Sequence, residues 1–291
     1  MTTKTKINMA ESVRARLLNI SSNTKQSGFE NILMRFMLER LLYRVGKSRY
    51  KDQFLLKGAM LFALWYDMPH RATRDIDLLA YGDNDLDVMK KIFQEIVALP
   101  CEDGVIFDID GIIVTRILQK NTYIGVNVKI KGELARARCQ VNIDVGFGDA
   151  VTPGPVESTY PVLIKDFPAP ELKTYPVYTV IAEKLHAIAA HGIENSRVKD
   201  YLDLFIILER EQLDQALLQK AITATFARRG TLISKTPLIG LTDEFANNPL
   251  KQTMWSAFLK KNQLPDKSFG VVVQALREKL QPVLDRVAVR G

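Results

Sequence analysis

The stretch from Phe54 to Tyr81 constrains the fold of this chain more than any other part of the sequence. Lys57 and Gly58 end a short apolar run over residues 54–56, and about two turns of strong helix formers follow. This pattern predicts a strand, a tight turn and a helix. Glycine in such a turn lets the backbone approach a ligand, and the first amides of the helix are unpaired donors suited to phosphate. The turn is therefore a candidate phosphate-binding element.

The same stretch ends in Asp75-Ile76-Asp77-Leu78, whose alternation predicts a second strand. Side chains alternate between the two faces of a strand, so both carboxylates are expected on one face. Two carboxylates this close repel each other unless cations or water offset their charge. Mg²⁺ takes oxygen ligands and is commonly held by one or two carboxylates plus substrate phosphates. The stretch thus predicts a site for a nucleoside triphosphate and its metal ion.

Two motifs in this stretch resemble the nucleotidyltransferase superfamily, and within it the AbiEii/AbiGii toxins of type IV toxin–antitoxin and abortive-infection systems. The motifs are Lys57-Gly58-Ala59 and Arg71-Ala72-Thr73-Arg74-Asp75-Ile76-Asp77. The superfamily has Gly-Ser or Gly-Gly at the turn, so Ala59 lacks a hydroxyl for a phosphate and offers only its backbone amide. The resemblance implies an α+β fold, a nucleotidyltransferase-like mixed β-sheet core flanked by helices, with a C-terminal helical domain.

The resemblance also implies roles for individual residues. Asp75 and Asp77 would hold Mg²⁺ or Mn²⁺, and a nucleoside triphosphate would be the substrate. The other residues of this stretch that are expected to contact the nucleotide are Lys57, Gly58, Arg71 and Thr73.

A third carboxylate is expected from the alternating run Gln140 to Gly146. Its pattern predicts a strand that points Asp144 away from the core. If this strand lies beside the one that contains Asp75 and Asp77, Asp144 completes a three-carboxylate metal site, a placement that the resemblance supports. Asp108 and Asp110 are the competing candidates.

Two segments of the second half are expected to complete the nucleotide site. Asp200 and Asp203 lie one helical turn apart, which is unfavourable unless a cation such as Lys184 or Arg197 lies among them. In the resembling family, a lysine followed by a basic-Asp-x-x-Asp segment helps to bind the nucleotide, and Lys184, Asp200 and Asp203 match that pattern. A salt-bridged helix pair with a purely structural role is the alternative.

Composition argues against a membrane-spanning protein, because no apolar run approaches the roughly 20 residues that cross a bilayer. The first residues have no apolar core of a signal peptide. Cys101 and Cys139 have no metal-ligand spacing and indicate no disulfide framework. A cytoplasmic protein is expected.

The formal net charge of +7 is concentrated near the N-terminus. Residues 1–51 contain eleven Lys and Arg against three Glu, which is a net charge of +8. A basic face at one end is typical of a protein that binds RNA, and the helix predicted over residues 29–45 would present Arg35, Arg40 and Arg44 near or beside its packing seam. An acidic partner protein, or a basic surface that binds nothing, would account for the same charges.

Three regions are predicted along the chain. They are basic N-terminal helices packed on the core over residues 1–50, a sheet domain over 51–170 and a helical domain over 171–291. Within the sheet domain, Asp110-Gly111 between two β-branched runs predicts a hairpin. Six prolines between residues 151 and 176 predict an irregular connection to the helical half.

These features and the resemblance imply a metal-dependent nucleotidyltransferase toxin of a toxin–antitoxin or phage-defence system. It would transfer a nucleoside monophosphate to an acceptor, the acceptor end of tRNA above all, and a cognate antitoxin would be encoded nearby. Two alternatives stay open. One is a nucleotide-binding, non-catalytic partner in a defence complex, which Ala59 favours and the retained Asp75 and Asp77 disfavour. The other is a small-molecule nucleotidyltransferase, which the basic N-terminus and the helical half disfavour.

Overall fold

The computed structural model describes residues 3–23, 28–66, 73–119, 122–233 and 236–288. The chain divides into two compact units, one of residues 1–148 with 156–174 and one of residues 149–155 with 175–291. The chain therefore crosses between the units three times. The predicted fold class, a mixed sheet with helices and a C-terminal helical region, is confirmed.

An eight-stranded mixed sheet forms the body of the first unit. Its strands are β1 (Phe54–Lys57), β2 (Asp75–Ala80), β3 (Val105–Phe107), β4 (Ile113–Gln119), β5 (Thr122–Leu134), β6 (Ala137–Phe147), β7 (Val156–Thr159) and β8 (Glu171–Thr174). The strand order is β3-β5-β6-β2-β1-β8-β7, and β4 also pairs with β5. The pairs β2–β6 and β1–β8 are parallel, and the other pairs are antiparallel.

Side chains on the central strands are alternately buried and partly exposed, so the sheet has one apolar, buried face and one polar face. Ile76 on β2, Val128 on β5 and Ile143 on β6 are each at most 1% exposed. Their neighbours in sequence point the other way, and these include Asp75, Asp77 and Asp144. The period-two patterns that predicted strands over residues 75–79, 123–134 and 140–147 are confirmed.

Four α-helices lie within the described residues of the first unit. They are α1 (Thr3–Asn23), α2 (Phe29–Lys47), α3 (Leu61–Tyr66) and α4 (Leu86–Ala98). α2 packs against β6 and β8, and its side chains Ile32 and Phe36 are fully buried. α4 begins at the cap residue Asp85, whose carboxylate accepts hydrogen bonds from the amides of Asp87 and Val88.

Two of the three arginines expected near or beside the seam of α2 are fully enclosed, so they do not contribute to the predicted basic face. Arg40 and Arg44 are 1% and 2% exposed. Arg44 makes two hydrogen bonds of 2.7 Å and 3.1 Å to the carboxylate of Asp103, and Arg40 donates to the carbonyl of Pro168. These charges are matched inside the unit, so the net charge of residues 1–51 overstates the charge available to a polyanion.

The hairpin predicted at Asp110-Gly111 is wrong. The two residues do form a turn, in which Asp108 accepts a hydrogen bond from the Gly111 amide. The flanking strands β3 and β4 do not pair with each other, however, and both pair antiparallel with different parts of β5. The Asp-Gly dipeptide predicts only that the chain turns at this point. It does not predict the pairing of β3 and β4, which both form hydrogen bonds with the long strand β5.

The proline-rich segment is also more regular than predicted. It contains β7 and β8, which pair antiparallel, and β8 then pairs in parallel with β1. Both strands are only four residues long, so the surrounding prolines dominate their sequence pattern.

The second unit is helical. Its helices are α5 (Val177–His191), α6 (Val198–Arg210), α7 (Gln215–Arg228), α8 (Asp243–Asn247), α9 (Pro249–Lys261) and α10 (Phe269–Val287). Aromatic rings form part of its core, since Tyr201 stacks on Phe245 and meets Phe269 edge to face. Within the described residues, no helix is both long and apolar enough to cross a membrane.

Candidate active site

The turn after β1 brings its glycine directly against an acidic side chain of β2. Gly58 has φ +73°, a left-handed conformation that favours glycine. A Cβ at this position would lie 1.9 Å from Oδ2 of Asp77. Lys57 is the partner of Asp77 in the β1–β2 register. The carboxylate of Asp77 therefore packs in the space that any side chain at position 58 would take.

The helix predicted after this turn is confirmed, and Tyr66 is its last described residue. A 3-10 turn over Gly58–Met60 precedes α3, whose described length is six residues. Ala59 is only 7% exposed, so its methyl group belongs to the core. Residue 59 therefore offers a phosphate only its backbone amide.

The register of the central strands aligns two of the three expected carboxylates. β2 and β6 are parallel neighbours, and Asp77 is the partner of Asp144. Neighbouring strands lie about 4.8 Å apart, and residues two apart on a strand lie about 6.6 Å apart. Asp75, two residues before Asp77, therefore completes a compact set of three carboxylates on one face of the sheet.

The competing third carboxylates lie elsewhere in the sheet. Asp108 and Asp110 belong to the turn between β3 and β4, and β5 and β6 separate that edge from β2. Of the three residues considered from sequence, only Asp144 is in register with the Asp75–Asp77 strand.

Two asparagine amides hold the outer carboxylates. Asn127 Nδ2 donates to Asp144 Oδ1 at 2.7 Å, and Asn142 Nδ2 donates to Asp75 Oδ1 at 3.1 Å. Each asparagine is the register partner of its aspartate on the neighbouring strand. Sequence reasoning did not assign these residues. The signal was present in the strand alternation, which places both asparagines on the same face as the carboxylates.

The chemistry of the donor set fits a divalent cation such as Mg²⁺. All three candidate ligands are carboxylates, and the Gly58 turn leaves room for Asp77 where a Cβ would not. Among the described residues, no three His, Cys, Asp or Glu side chains already converge closely enough to hold a metal ion. Binding of a metal ion would therefore require these side chains to rotate toward one another, on strands that are already in register.

Lys57 and Thr73, the other candidate nucleotide-binding residues of the first unit that are described, lie close to the two aspartates of β2. Lys57 is half-buried at the end of β1, beside Asp77 in the register. Thr73 precedes β2, and its hydroxyl donates to the Asp75 carbonyl at 3.2 Å. Arg71 lies outside the described residues.

The three candidate residues of the second unit form one buried ionic cluster. Lys184 Nζ donates to Asp200 Oδ1 at 2.8 Å and to Asp203 Oδ2 at 2.7 Å. Arg197 Nε donates to the other oxygen of Asp200 at 2.6 Å. The side chains of Asp200 and Asp203 are 1% and 0% exposed, and that of Lys184 is 12% exposed. Both cations considered from sequence therefore offset the two acidic charges.

Opposing effects act on the protonation of this cluster. Burial alone would raise the pKa of Asp200, but the charges of Lys184 and Arg197 outweigh burial and hold its pKa below the usual range. Burial alone would likewise lower the pKa of Lys184, but Asp203 and Asp200 outweigh it and raise that pKa. Asp200 and Lys184 are therefore both charged at neutral pH.

Comparison with known proteins places the chain in a class and then in a family. The model of the family described as "Nucleotidyl transferase AbiEii toxin, Type IV TA system" matches residues 40–281 of the 291. The class is therefore that of nucleotidyltransferases. The chain belongs to the AbiEii toxin family, and the resemblance seen in the sequence is confirmed.

Other comparisons give less. No curated protein matches the chain. Two solved structures from Helicobacter pylori are similar to this chain. JHP933 has 14% sequence identity and a TM-score of 0.49, and the match covers 87% of this chain and 94% of that one. A protein described as a candidate nucleotidyltransferase has 15% sequence identity and a TM-score of 0.47, and the match covers 87% of this chain and 97% of that one.

Proposed function

We propose that this nucleotidyltransferase toxin requires a divalent metal ion and transfers a nucleoside monophosphate to the acceptor end of tRNA. The observation that carries the proposal is the register of the sheet, which places Asp144 directly beside Asp77 with Asp75 two residues away. Three carboxylates that share a face, next to a glycine turn, suit a nucleotide with its metal ion. tRNA and nucleoside triphosphates meet in the cytoplasm, so the toxin would act there.

The roles of the residues follow from this arrangement. Asp75, Asp77 and Asp144 would hold the metal ion, whose charge would offset that of the phosphates and would lower the pKa of an acceptor hydroxyl. Asp144 would take the proton of that hydroxyl at Oδ2, because Oδ1 accepts a hydrogen bond from Asn127. The acceptor oxygen then bonds to the α-phosphorus, the α–β phosphoanhydride bond breaks, and diphosphate leaves. Lys57, the Gly58 amide, Thr73 and Arg71 would orient the phosphates.

Exposed cations near the carboxylates support an RNA acceptor. Lys129 on β5 is the register partner of Asn142, which in turn is the partner of Asp75. Lys131 continues the same face two residues further, and both lysines are exposed. These charges adjoin the proposed chemistry, in contrast to the buried Arg40 and Arg44. Exposed cations of this kind attract a phosphate backbone irrespective of its sequence.

Lys184, Asp200 and Asp203 are proposed to contribute to nucleotide binding. Lys184 has three donor hydrogens, and the two aspartates accept two of them. The third would be available to a phosphate oxygen. The aspartates would then serve to hold the ammonium group in one position and to keep it charged.

A labelling experiment tests the proposal. Purified protein is incubated with Mg²⁺, each α-labelled nucleoside triphosphate in turn and total tRNA, with and without periodate oxidation of the tRNA 3′ end. Label is expected in intact tRNA and not in oxidised tRNA. Label confined to the protein or to small molecules would contradict the tRNA acceptor and leave the transferase intact.

Matched variants test the assignment of the metal ligands. Asp75→Ala, Asp77→Ala and Asp144→Ala are each expected to abolish transfer and growth inhibition, whereas Asp110→Ala is expected to retain both. EDTA should abolish transfer by wild-type protein, and added Mg²⁺ should restore it. Transfer that survives Asp75→Ala and Asp77→Ala would overturn the metal site.

A further inference from the structure

We propose that Asn127 and Asn142 are positioning residues: each holds one oxygen of an outer carboxylate of the site and leaves the other oxygen to turn toward the metal ion. The inference rests on the proposed function, since it concerns the same three aspartates. It adds a supporting layer of amide groups that neither the motifs nor the family match assigns.

The first support is the geometry around Asp144. Asn127 on β5 is its register partner, and the Nδ2–Oδ1 distance of 2.7 Å is short for an amide donor. Both side chains are half-buried, so solvent competes only partly for this bond. With Oδ1 fixed, the carboxylate plane of Asp144 is restrained, and Oδ2 is the oxygen left for the cation and the acceptor hydroxyl.

The second support is a two-step chain of amides that ends at Asp75. Gln140 Nε2 donates to Asn142 Oδ1 at 3.1 Å, and Asn142 Nδ2 donates to Asp75 Oδ1 at 3.1 Å. An asparagine amide can be turned so that either its oxygen or its nitrogen faces a neighbour. The Gln140 donor favours the orientation in which Asn142 presents its NH₂ group, and not its oxygen, to the carboxylate.

The pattern is repeated on opposite sides of β6. One asparagine lies on β5 and serves a carboxylate on β6, whereas the other lies on β6 and serves a carboxylate on β2. In both cases a neutral donor is used where a lysine or arginine would also satisfy the carboxylate. A neutral amide restrains the oxygen without cancelling the negative charge that binds a divalent cation, which is the requirement for a metal-supporting group.

Asp77 lies between the two outer carboxylates. Its carboxylate packs against the Gly58 turn, where a Cβ would come within 1.9 Å of Oδ2. Amide hydrogen bonds therefore restrain the two outer ligands, and packing against the glycine turn restrains the middle one.

Mn²⁺ binding to full-length protein tests the inference, with the free ion followed by electron paramagnetic resonance in the presence of a non-hydrolysable nucleoside triphosphate. Asn127→Ala and Asn142→Ala are expected to raise the Mn²⁺ dissociation constant about 10-fold to 100-fold, as losses of outer hydrogen bonds do in other metal sites. Gln140→Glu, which replaces the donor by a carboxylate that repels Asn142 Oδ1, should raise it by a smaller factor. Transfer should recover at saturating Mn²⁺, so the metal requirement changes more than kcat.

Thr115→Ala is the matched control. Thr115 is the register partner of Asn127 on the side away from Asp144, and it is exposed. Its substitution should leave Mn²⁺ affinity unchanged. Thermal unfolding of every variant separates a positioning effect from loss of the fold. If Asn127→Ala is unfolded, Asn127→Asp replaces it, because this variant keeps the shape of the side chain but not the hydrogen-bond donor.

The outcomes separate this inference from the proposed function. If Asp77→Ala abolishes Mn²⁺ binding while the folded asparagine variants bind as tightly as wild type, the positioning role is overturned and the metal site stands. If wild type and Asp77→Ala are equally unable to bind Mn²⁺ with the nucleotide present, the metal site itself fails and the inference falls with it.

Discussion

A methyl group at position 58 would occupy the space that the Asp77 carboxylate fills. Gly58→Ala should therefore combine a left-handed strain of about 1–2 kcal/mol with a displaced metal ligand. Because a 1 Å displacement can cost about 100-fold in rate, transfer should fall by at least that factor while the protein stays folded. Transfer assays and thermal unfolding measure the two effects separately.

Gly154→Ala is the control for this substitution, since a Cβ at position 154 would meet no heavy atom within 4 Å. It should change neither activity nor stability. Wild-type transfer by Gly58→Ala would show that the contact with Asp77 is unimportant.

At the same scale, Asp200 should link stability to pH. Asp200→Asn removes a charged partner of buried Lys184 and is expected to cost about 3–5 kcal/mol at neutral pH. The folded pKa of Asp200 is lowered, so its contribution is present above the unfolded pKa of about 3.9 and is lost as pH falls through the folded value. The gap between wild type and variant should be constant from pH 8 to pH 5 and should narrow below about pH 4.

Denaturant titrations across this pH range measure that gap. Asp285→Asn, on the exposed surface of α10, should show a small difference in unfolding free energy at every pH. A gap for Asp200→Asn that widens in acid would contradict the ion-pair account.

At the scale of elements, the turn between β5 and β6 sets the register on which the site depends. Leu134 pairs with Ala137, so the loop contains only Ala135 and Arg136, with φ +45° and +70°. Two-residue hairpin loops favour glycine or asparagine at such positions. Arg136→Gly should therefore raise the free energy of unfolding by about 1 kcal/mol.

The midpoint of denaturant unfolding, at an unchanged m-value, measures this gain. Arg136→Ala removes the same charge but keeps the Cβ, so it should give no comparable stabilisation. An equal gain in both variants would assign the effect to the arginine and not to the backbone.

Strands whose apolar and polar residues alternate strictly could be predicted from the sequence. The neighbouring strands with which they pair could be predicted only in part. β2, β5 and β6 follow from alternation, because burial of one face imposes it. The sequence also predicted that the strand of Asp144 would lie beside that of Asp75, although only through the family resemblance. The pairing of β3 and β4 with β5, and the short strands β7 and β8, escaped prediction because neither turn residues nor four-residue runs specify a partner.

Side chains that depend on distant partners were the least predictable part of the site. The burial of Arg44 is explained by Asp103, 59 residues further along the chain. The amide bonds of Asn127 and Asn142 likewise depend on register and not on local pattern. The aspartates were accessible from sequence because their chemistry is unusual for a strand, whereas an asparagine on a half-exposed face is not.

At the scale of the whole molecule, the three crossings between units decide which fragments can fold. A fragment of residues 1–174 retains all eight strands, whereas residues 1–148 lack β7 and β8. β1 would then lose the partner that pairs with Leu55 and Leu56, and an open apolar edge promotes aggregation. The longer fragment should be soluble and unfold cooperatively, and the shorter one should aggregate.

Size-exclusion chromatography and circular dichroism of the two fragments check this expectation. A soluble, cooperatively folded fragment of residues 1–148 would show that β7 and β8 are dispensable for the sheet.

The two-residue turn at Ala135 and Arg136 has a genetic consequence. A single codon inserted or deleted there would slide β6 along one of its neighbours, so that Asn127 or Asp77 would face Ile143 or Val145 instead of Asp144. For a gene whose product arrests its own host, such a change silences the toxin while every motif residue is still encoded. Decayed copies of the gene would then be mistaken for functional ones by any inspection that reads only the motifs.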